Sequence, residues 1–203
     1  MAPGLRIGID LDEVLAQFVH AFLDFHNHVY GTAYRFEDIF TFNMDEVWDI
    51  PKDVLHERFL EFYRSAYFTQ IPTVTGAVDA IRALEQAHEL FIITARPDRI
   101  REETMDWLDH HFPDVFSDEH VHFASNVFAN GNHRKGKICQ ALALDVMVED
   151  NAEYAEECAP HVGTIFLIDS PWNQSESLPE NVVRVQGWDQ IVQAIQEHEV
   201  VSR

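Results

Sequence analysis

With 203 residues, 46% of them hydrophobic, the chain is long enough to bury one sizeable core without disulfides. Its 14 Lys and Arg residues stand against 35 Asp and Glu, a formal net charge of −21 with His neutral, and a surface this acidic repels polyphosphate backbones, so long DNA or RNA is not an expected partner. No apolar run approaches the length of a membrane span, no charged leader with an apolar core opens the chain, and the two cysteines, Cys139 and Cys158, fit a reduced compartment. A cytoplasmic protein without a membrane partner is the expectation.

The first predicted strand, at residues 5–10, is an apolar run that ends in Asp10, with Asp12 two positions on. Two carboxylates at the C-terminal end of a buried strand put negative charge where open α/β sheets bind their ligands, a natural place for a divalent cation. An acidic turn after an edge strand is the plainer alternative. Residues 15–72 are of another kind, crowded with aromatic side chains at helical spacing in Phe18-Phe22-Phe25 and Leu55-Phe59-Phe62, and punctuated by Tyr30-Gly31-Thr32 and Ile50-Pro51. This stretch predicts a small helical insertion at 15–72, which divides a core domain into 1–14 and 73–203. An aromatic stripe of this kind is in the main the insertion's own core.

Downstream, helical patterns at 76–87, 99–111, 135–144 and 151–158 alternate with strand-like runs at 90–94, 121–124, 146–149, 164–168 and 182–185. Such alternation predicts an α/β fold, a doubly wound, Rossmann-like, mostly parallel sheet with the helical cap inserted after the first strand. Three of its turns carry further polar groups: Thr94-Ala95-Arg96-Pro97 after the second strand, Arg134-Lys135-Gly136-Lys137 at a helix start, and Glu149-Asp150 after the fourth strand. His26-Asn27-His28 looks like a ligand pair in print, but residues two apart on a helix point to opposite faces. His120 and His122 share a strand face without a third ligand nearby, and His110-His111 reads as a frayed helix end.

A carboxylate, a hydroxyl, an ammonium and a final acidic pair, in that order and at those places, resemble the four motifs of the haloacid dehalogenase superfamily of phosphatases. The resemblance runs from Arg6 to about Val185, and it implies that the insertion covers an active site. It also implies a Mg²⁺ cofactor and a small phosphorylated substrate. Asp10 would be the nucleophile that forms an aspartyl-phosphate, which requires a cation and an ammonium to screen the converging negative charges. Mg²⁺ would be held by Asp10, the Leu11-Asp12 backbone and Asp150. The Asp12 side chain, beside the metal, would be the general acid and then the general base. Thr94 and the backbone at Ala95 would orient the phosphoryl oxygens. Either Lys135 or Lys137 supplies the ammonium, Lys135 being the better match because Lys-Gly opens the helix in related members. Arg96 is a candidate for gripping the phosphate or for a salt bridge to the cap, and Phe18 for stacking on a flat substrate group. Glu149 holds a metal-bound water, holds Lys135, or makes a structural salt bridge.

Within the superfamily the cap, Ile93-Thr94-Ala95-Arg96-Pro97, Lys135-Gly136, Glu149-Asp150-Asn151 and Leu167-Ile168-Asp169-Ser170-Pro171-Trp172-Asn173 look like the 5'(3')-deoxyribonucleotidase and related nucleotidase group. Two residues depart from that pattern: Glu13 stands where a glycine is usual, and Glu149 where many members have aspartate. A nucleoside monophosphate is the favoured substrate. A phosphate-binding or regulatory protein that has lost turnover is the alternative, kept open by Glu13. A carbon–halogen hydrolase is a weaker one, since it would need neither Asp12 nor the cation site. A homodimer is left open.

Overall fold

The apolar runs become parallel strands in a computed structural model, which describes residues 4–41, 43–125, 135–174 and 177–201. They are β1 (Arg6–Ile9), β2 (Glu89–Pro97), β3 (Val121–Ser125), β4 (Val146–Glu149), β5 (Thr164–Ile168) and β6 (Val182–Val185), ordered β3-β2-β1-β4-β5-β6. Every adjacent pair is parallel. Such a sheet is covered on both faces, which is why its central strands read as continuous apolar runs rather than alternating ones. Ile7, Ile9, Ile92, Ile93, Met147, Val148, Ile165 and Leu167 are fully buried.

The period-2 alternation of strands then divides these residues between two cores. Ile93, Met147, Ile165 and Leu167 face α7 (Lys135–Leu142) and α8 (Ala152–Cys158), while Ile7, Ile9, Ile92 and Val148 face the other side with α5 (Ala77–Leu84), α6 (Arg101–His111) and α9 (Trp188–Val201). From β1 the chain steps outward to β2 and β3, and from β4 it steps the opposite way to β5 and β6. The reversal leaves a crevice beyond the carboxyl ends of β1 and β4, where ligands bind in sheets of this class.

Between β1 and α5 lie α1 (Phe18–Tyr30), α2 (Met44–Trp48), α3 (Lys52–Tyr63) and α4 (Ala66–Thr69). Their interior is aromatic: Phe22 stacks on Phe59 at 4.4 Å and His26 on Trp48 at 4.2 Å. The expected punctuation holds, with α1 ending at Gly31 in a left-handed conformation and Pro51 standing immediately before α3. The buried residues of these helices are continuous with one core of the sheet.

The structure differs from the sequence reading in three places. β2 continues through Thr94 to Pro97, because Pro97 stands at the strand's last position, where a missing N–H is tolerated. Helix α7 stops at Leu142, since Ala143 turns to a φ of 48°. The sequence map ends at Val185, yet α9 follows it, with Trp188, Ile191 and Ile195 at helical spacing and buried. Phe42 and Arg134 lie outside the described residues.

Two tryptophans hold the two chain crossings between sheet and insertion. Trp188 donates its indole N–H to the Val14 carbonyl at 2.9 Å, just after β1. Trp107 donates to the Ile71 carbonyl at 2.8 Å, where the chain returns. Trp188 is 1% exposed, so Trp188→Ala should cost about 3–5 kcal/mol in urea unfolding. Trp188→Phe, which keeps an aromatic ring but not the donor, should cost clearly less. Equal stability of Trp188→Ala and wild type would show that α9 does not fasten this crossing.

Candidate active site

Asp10 is the residue immediately beyond β1, and its N–H donates to the Val148 carbonyl of β4 at 2.9 Å, so the sheet itself sets its place at the crevice. Lys135, the first residue of α7 and 1% exposed, places its ammonium 2.8 Å from Asp10 Oδ1 and 2.5 Å from Glu149 Oε1. It can reach them because α7 runs close against α8. A Cβ on Gly136 would stand 2.7 Å from the Glu157 carbonyl oxygen, and the Gly136 N–H donates to Glu157 Oε1 at 2.9 Å. The glycine after the lysine thus permits the close approach that carries the ammonium inward. The face of the Tyr154 ring closes over Lys135 Nζ at 4.5 Å.

Glu149 Oε2 accepts the backbone N–H groups of Asp150 and Asn151 at 2.8 and 3.1 Å, so one carboxylate ties Lys135 to the turn after β4. Asp150 is held from the far side. The Trp172 indole donates to its Oδ2 at 3.0 Å, and Asn173 Nδ2 donates to its carbonyl at 2.7 Å. Its other oxygen, Oδ1, is buried and has no hydrogen-bond partner among the described residues.

Asp10, Glu149 and Asp150 each offer a carboxylate oxygen within 4.8 Å of the others. Burial, with the charges of Glu149 and Asp12, pushes the Asp10 carboxyl up to about 7 against the opposing pull of Lys135. Burial and the charges of Glu149 and Asp10 hold Asp150 well above the usual carboxylate range. Burial works against the Lys135 charge too, but Asp10 and Glu149 outweigh it and raise its pKa. Three buried carboxylates facing one ammonium are short of positive charge, and the oxygen-only donor set with its unpartnered Asp150 Oδ1 suits a hard divalent cation such as Mg²⁺.

The sequence-derived site residues are not all where they were expected. Asp10, Asp150 and Lys135 converge, whereas Lys137 is exposed on the outside of α7. The Asp12 side chain, expected beside the metal rather than on it, is turned away from this cluster: Arg96 Nε lies 3.1 Å from both of its oxygens and Arg96 Nη2 lies 2.6 Å from Oδ1. Glu149 stands in the cluster instead, joined to Lys135. Arg96, a candidate for the phosphate or the cap, pairs with Asp12 and meets the insertion through Phe68, whose ring lies 5.0 Å from the guanidinium carbon. Thr94 is fully buried, and its Oγ1 accepts the Arg96 N–H at 3.1 Å; Ala95 beside it is half-buried. Phe18 is 9% exposed and is surrounded by Phe22, Phe59 and Phe62 at 6.2, 6.1 and 5.3 Å, inside the aromatic core of the insertion. Trp172, Asn173 and Tyr154 carry roles that the sequence reading did not assign. The Trp-Asn pair closing the last quoted motif was the available signal, and nothing in the sequence marked Tyr154.

Glu13, at a φ of 59°, occupies a left-handed position that favours glycine, at a strain on the order of 1 kcal/mol. Its Oε1 accepts the Val19 N–H at 2.6 Å, in the first turn of α1, where Gln17 gives no side-chain cap and no acidic residue is present. It thus supplies the acceptor that the helix start needs.

Comparison with known proteins gives the chain's family and matches its fold. The family described as 5' nucleotidase, deoxy (pyrimidine), cytosolic type C protein (NT5C) matches residues 5–202. YqfW of Bacillus subtilis, a candidate nucleotidase by its name, is 25% identical over 93% of this chain and 92% of its own. Among solved structures, the haloacid dehalogenase-like hydrolase SP0104 of Streptococcus pneumoniae superposes with a TM-score of 0.68 at 14% identity, covering 97% of this chain and all (100%) of that one. The HAD-hydrolase YfnB of Bacillus subtilis, solved bound to magnesium, gives 0.64 at 11% identity over 96% and 99% of the two chains.

Burial pushes the Glu13 carboxyl up to about 8, from an ordinary value of 4.5, against the hydrogen bond from Val19. The native carboxyl keeps its proton over a range in which the unfolded chain has lost it, so burial removes stability as pH rises from 4.5 to about 8. Glu13→Gln retains an acceptor for the Val19 N–H without the charge. Its melting temperature relative to wild type should rise across that window and level off above it; a difference that does not vary with pH would mean that Glu13 does not titrate in the folded protein.

Proposed function

The chain belongs to the family of 5' nucleotidase, deoxy (pyrimidine), cytosolic type C proteins, and from that membership we propose that it hydrolyses a nucleoside monophosphate through an aspartyl-phosphate on Asp10, with Mg²⁺ as cofactor. The observation that carries the reading is the set of buried carboxylates at the switch point, joined by a single ammonium and short of positive charge. Mg²⁺, when bound, supplies charge that lets an anionic phosphate approach an anionic nucleophile. Asp10, Asp150 and the backbone at Leu11-Asp12 would hold it, with Glu149 positioning Lys135 beside it. The magnesium in the YfnB structure is in keeping with this cofactor.

In the first half-reaction an Asp10 carboxylate oxygen bonds to phosphorus while the ester bond breaks, and the Asp12 carboxyl gives its proton to the departing sugar oxygen. In the second, Asp12 takes a proton from water, which attacks phosphorus and returns the Asp10 carboxylate with inorganic phosphate. Thr94 and the backbone at Ala95 orient the phosphoryl oxygens, and Lys135 offsets the charge that builds on them.

Residues 15–72 act as a cap on the core formed by 1–14 and 73–203, excluding water and selecting the substrate. Two contacts of the insertion support that assignment: Phe68 lies against Arg96, and Phe36 meets Trp172 at 5.3 Å. The alternative of a binding protein without turnover rested on Glu13, whose carboxyl is engaged by Val19 at the base of α1.

Release of phosphate from a panel of 5'-deoxyribonucleotides should require Mg²⁺, stop in excess chelator and return when Mg²⁺ is restored. Asp10→Asn should abolish it while the far-ultraviolet spectrum stays that of the wild type. Activity in chelator, or near-native activity of Asp10→Asn, would overturn the mechanism. Lys135→Ala should lose roughly a hundred- to a thousandfold in kcat, about 3–4 kcal/mol, and Lys137→Ala should lose little. The reverse ranking would remove Lys135 from the charge balance.

A further inference from the structure

We infer that Arg96 is the positioning residue for Asp12: its guanidinium holds the carboxylate that exchanges protons with the leaving group, and it does not bind the substrate phosphate. The inference rests on the acid–base reading of Asp12 given above and adds to it the group that sets the carboxylate's orientation. Three contacts join the pair, from Arg96 Nε to both Asp12 oxygens at 3.1 Å and from Nη2 to Oδ1 at 2.6 Å. A planar fork meeting a planar carboxylate fixes the plane of the carboxylate as well as its distance, which a lysine could not do.

The guanidinium is itself held on its other sides. Nη1 donates to Thr104 Oγ1 at 3.3 Å, and that hydroxyl donates to the Ile100 carbonyl at 2.7 Å, so α6 fixes the fork from behind. The Phe68 ring of α4 covers its face, and the Arg96 N–H donates to Thr94 Oγ1 at 3.1 Å at the end of β2. The arginine side chain is 2% exposed, while that of Asp12 is 23% exposed. An arginine turned inward, with its donors directed to Asp12 and Thr104, presents little to a phosphate in the crevice. Asp12 is the member of the pair that opens toward the substrate. Of its two oxygens Oδ2 takes a single 3.1 Å contact from Arg96, whereas Oδ1 takes two, which makes Oδ2 the oxygen for proton exchange.

Leaving-group dependence separates positioning from phosphate binding and from general support of the fold. A nucleoside oxygen must be protonated as it leaves, but a 4-nitrophenolate departs without a proton, and kcat/KM covers only the steps through departure. Asp12→Asn is the reference: its kcat/KM for a 5'-deoxyribonucleotide should fall on the order of a hundredfold or more, and that for 4-nitrophenyl phosphate far less. Arg96→Lys, which keeps the charge and loses the fork, should reproduce this selective loss without raising the KM for the aryl ester. The double variant should lose little beyond Asp12→Asn alone, since both changes disable one function. Equal losses on the two substrates in Arg96→Lys, or a raised KM for both with weakened inhibition by inorganic phosphate, would overturn the inference while Asp12→Asn stays selective. Loss of selectivity in Asp12→Asn itself would instead overturn the acid–base reading beneath it.

Discussion

A single ammonium surrounded by buried carboxylates governs this structure. Lys135 is drawn to Asp10 and Glu149 at 2.8 and 2.5 Å, and Asp150 stands beside them with one oxygen unpartnered among the described residues. Such a cluster is costly to bury unless its charge is balanced, and here one cation faces three acids. Much of the surrounding architecture answers that constraint. Gly136 lets α7 come close to α8, Glu149 gathers two backbone N–H groups as well as the ammonium, and Trp172 and Asn173 secure Asp150 from the loop after β5. The same imbalance that makes the cluster unfavourable on its own suits it to a divalent cation.

The sheet topology explains why these groups meet. Asp10 follows β1 and Asp150 follows β4, strands far apart in the chain but adjacent in the sheet, on either side of the point where the winding reverses. A site at that crevice draws on residues more than a hundred positions apart, so its geometry depends on the integrity of the whole sheet. The helical insertion enters next to it, and its two crossings are held by buried indoles, Trp188 on Val14 and Trp107 on Ile71. Glu13 adds a third restraint at the first turn of α1. Hydrogen bonds at the crossings leave the entry angles of the insertion closely defined.

Asp12 and Asp10 lie two positions apart and serve different electrostatic surroundings. Asp10 faces lysine and two further acids and is buried with them; Asp12 faces the fork of an arginine and opens to the crevice. Holding each carboxylate by a different cation in this way suits the proposed division between a nucleophile and a proton carrier. Arg96 is also the place where sheet, α6 and insertion meet, through Thr94, Thr104 and Phe68.

The strands, their parallel arrangement and the acids at their ends were legible in the amino-acid sequence because they depend on local pattern: continuous apolar runs mark strands covered on both faces, and polar residues at their C-terminal ends mark the ligand edge. Their places at strand ends marked Asp10 and Asp150 as residues of that edge, and the aromatic helical spacing of 15–72 marked the segment that forms the helices between β1 and α5. Only the tertiary structure distinguished Lys135 from Lys137, since the two share a helix and differ in which side of it meets α8. Tertiary contacts likewise assigned Arg96 to Asp12, drew Phe18 into the core of the insertion, and brought Trp172 and Asn173 onto Asp150. Local periodicity records which face of an element is buried; which partner that face meets is set by packing between segments distant in the chain, and no window of sequence contains it.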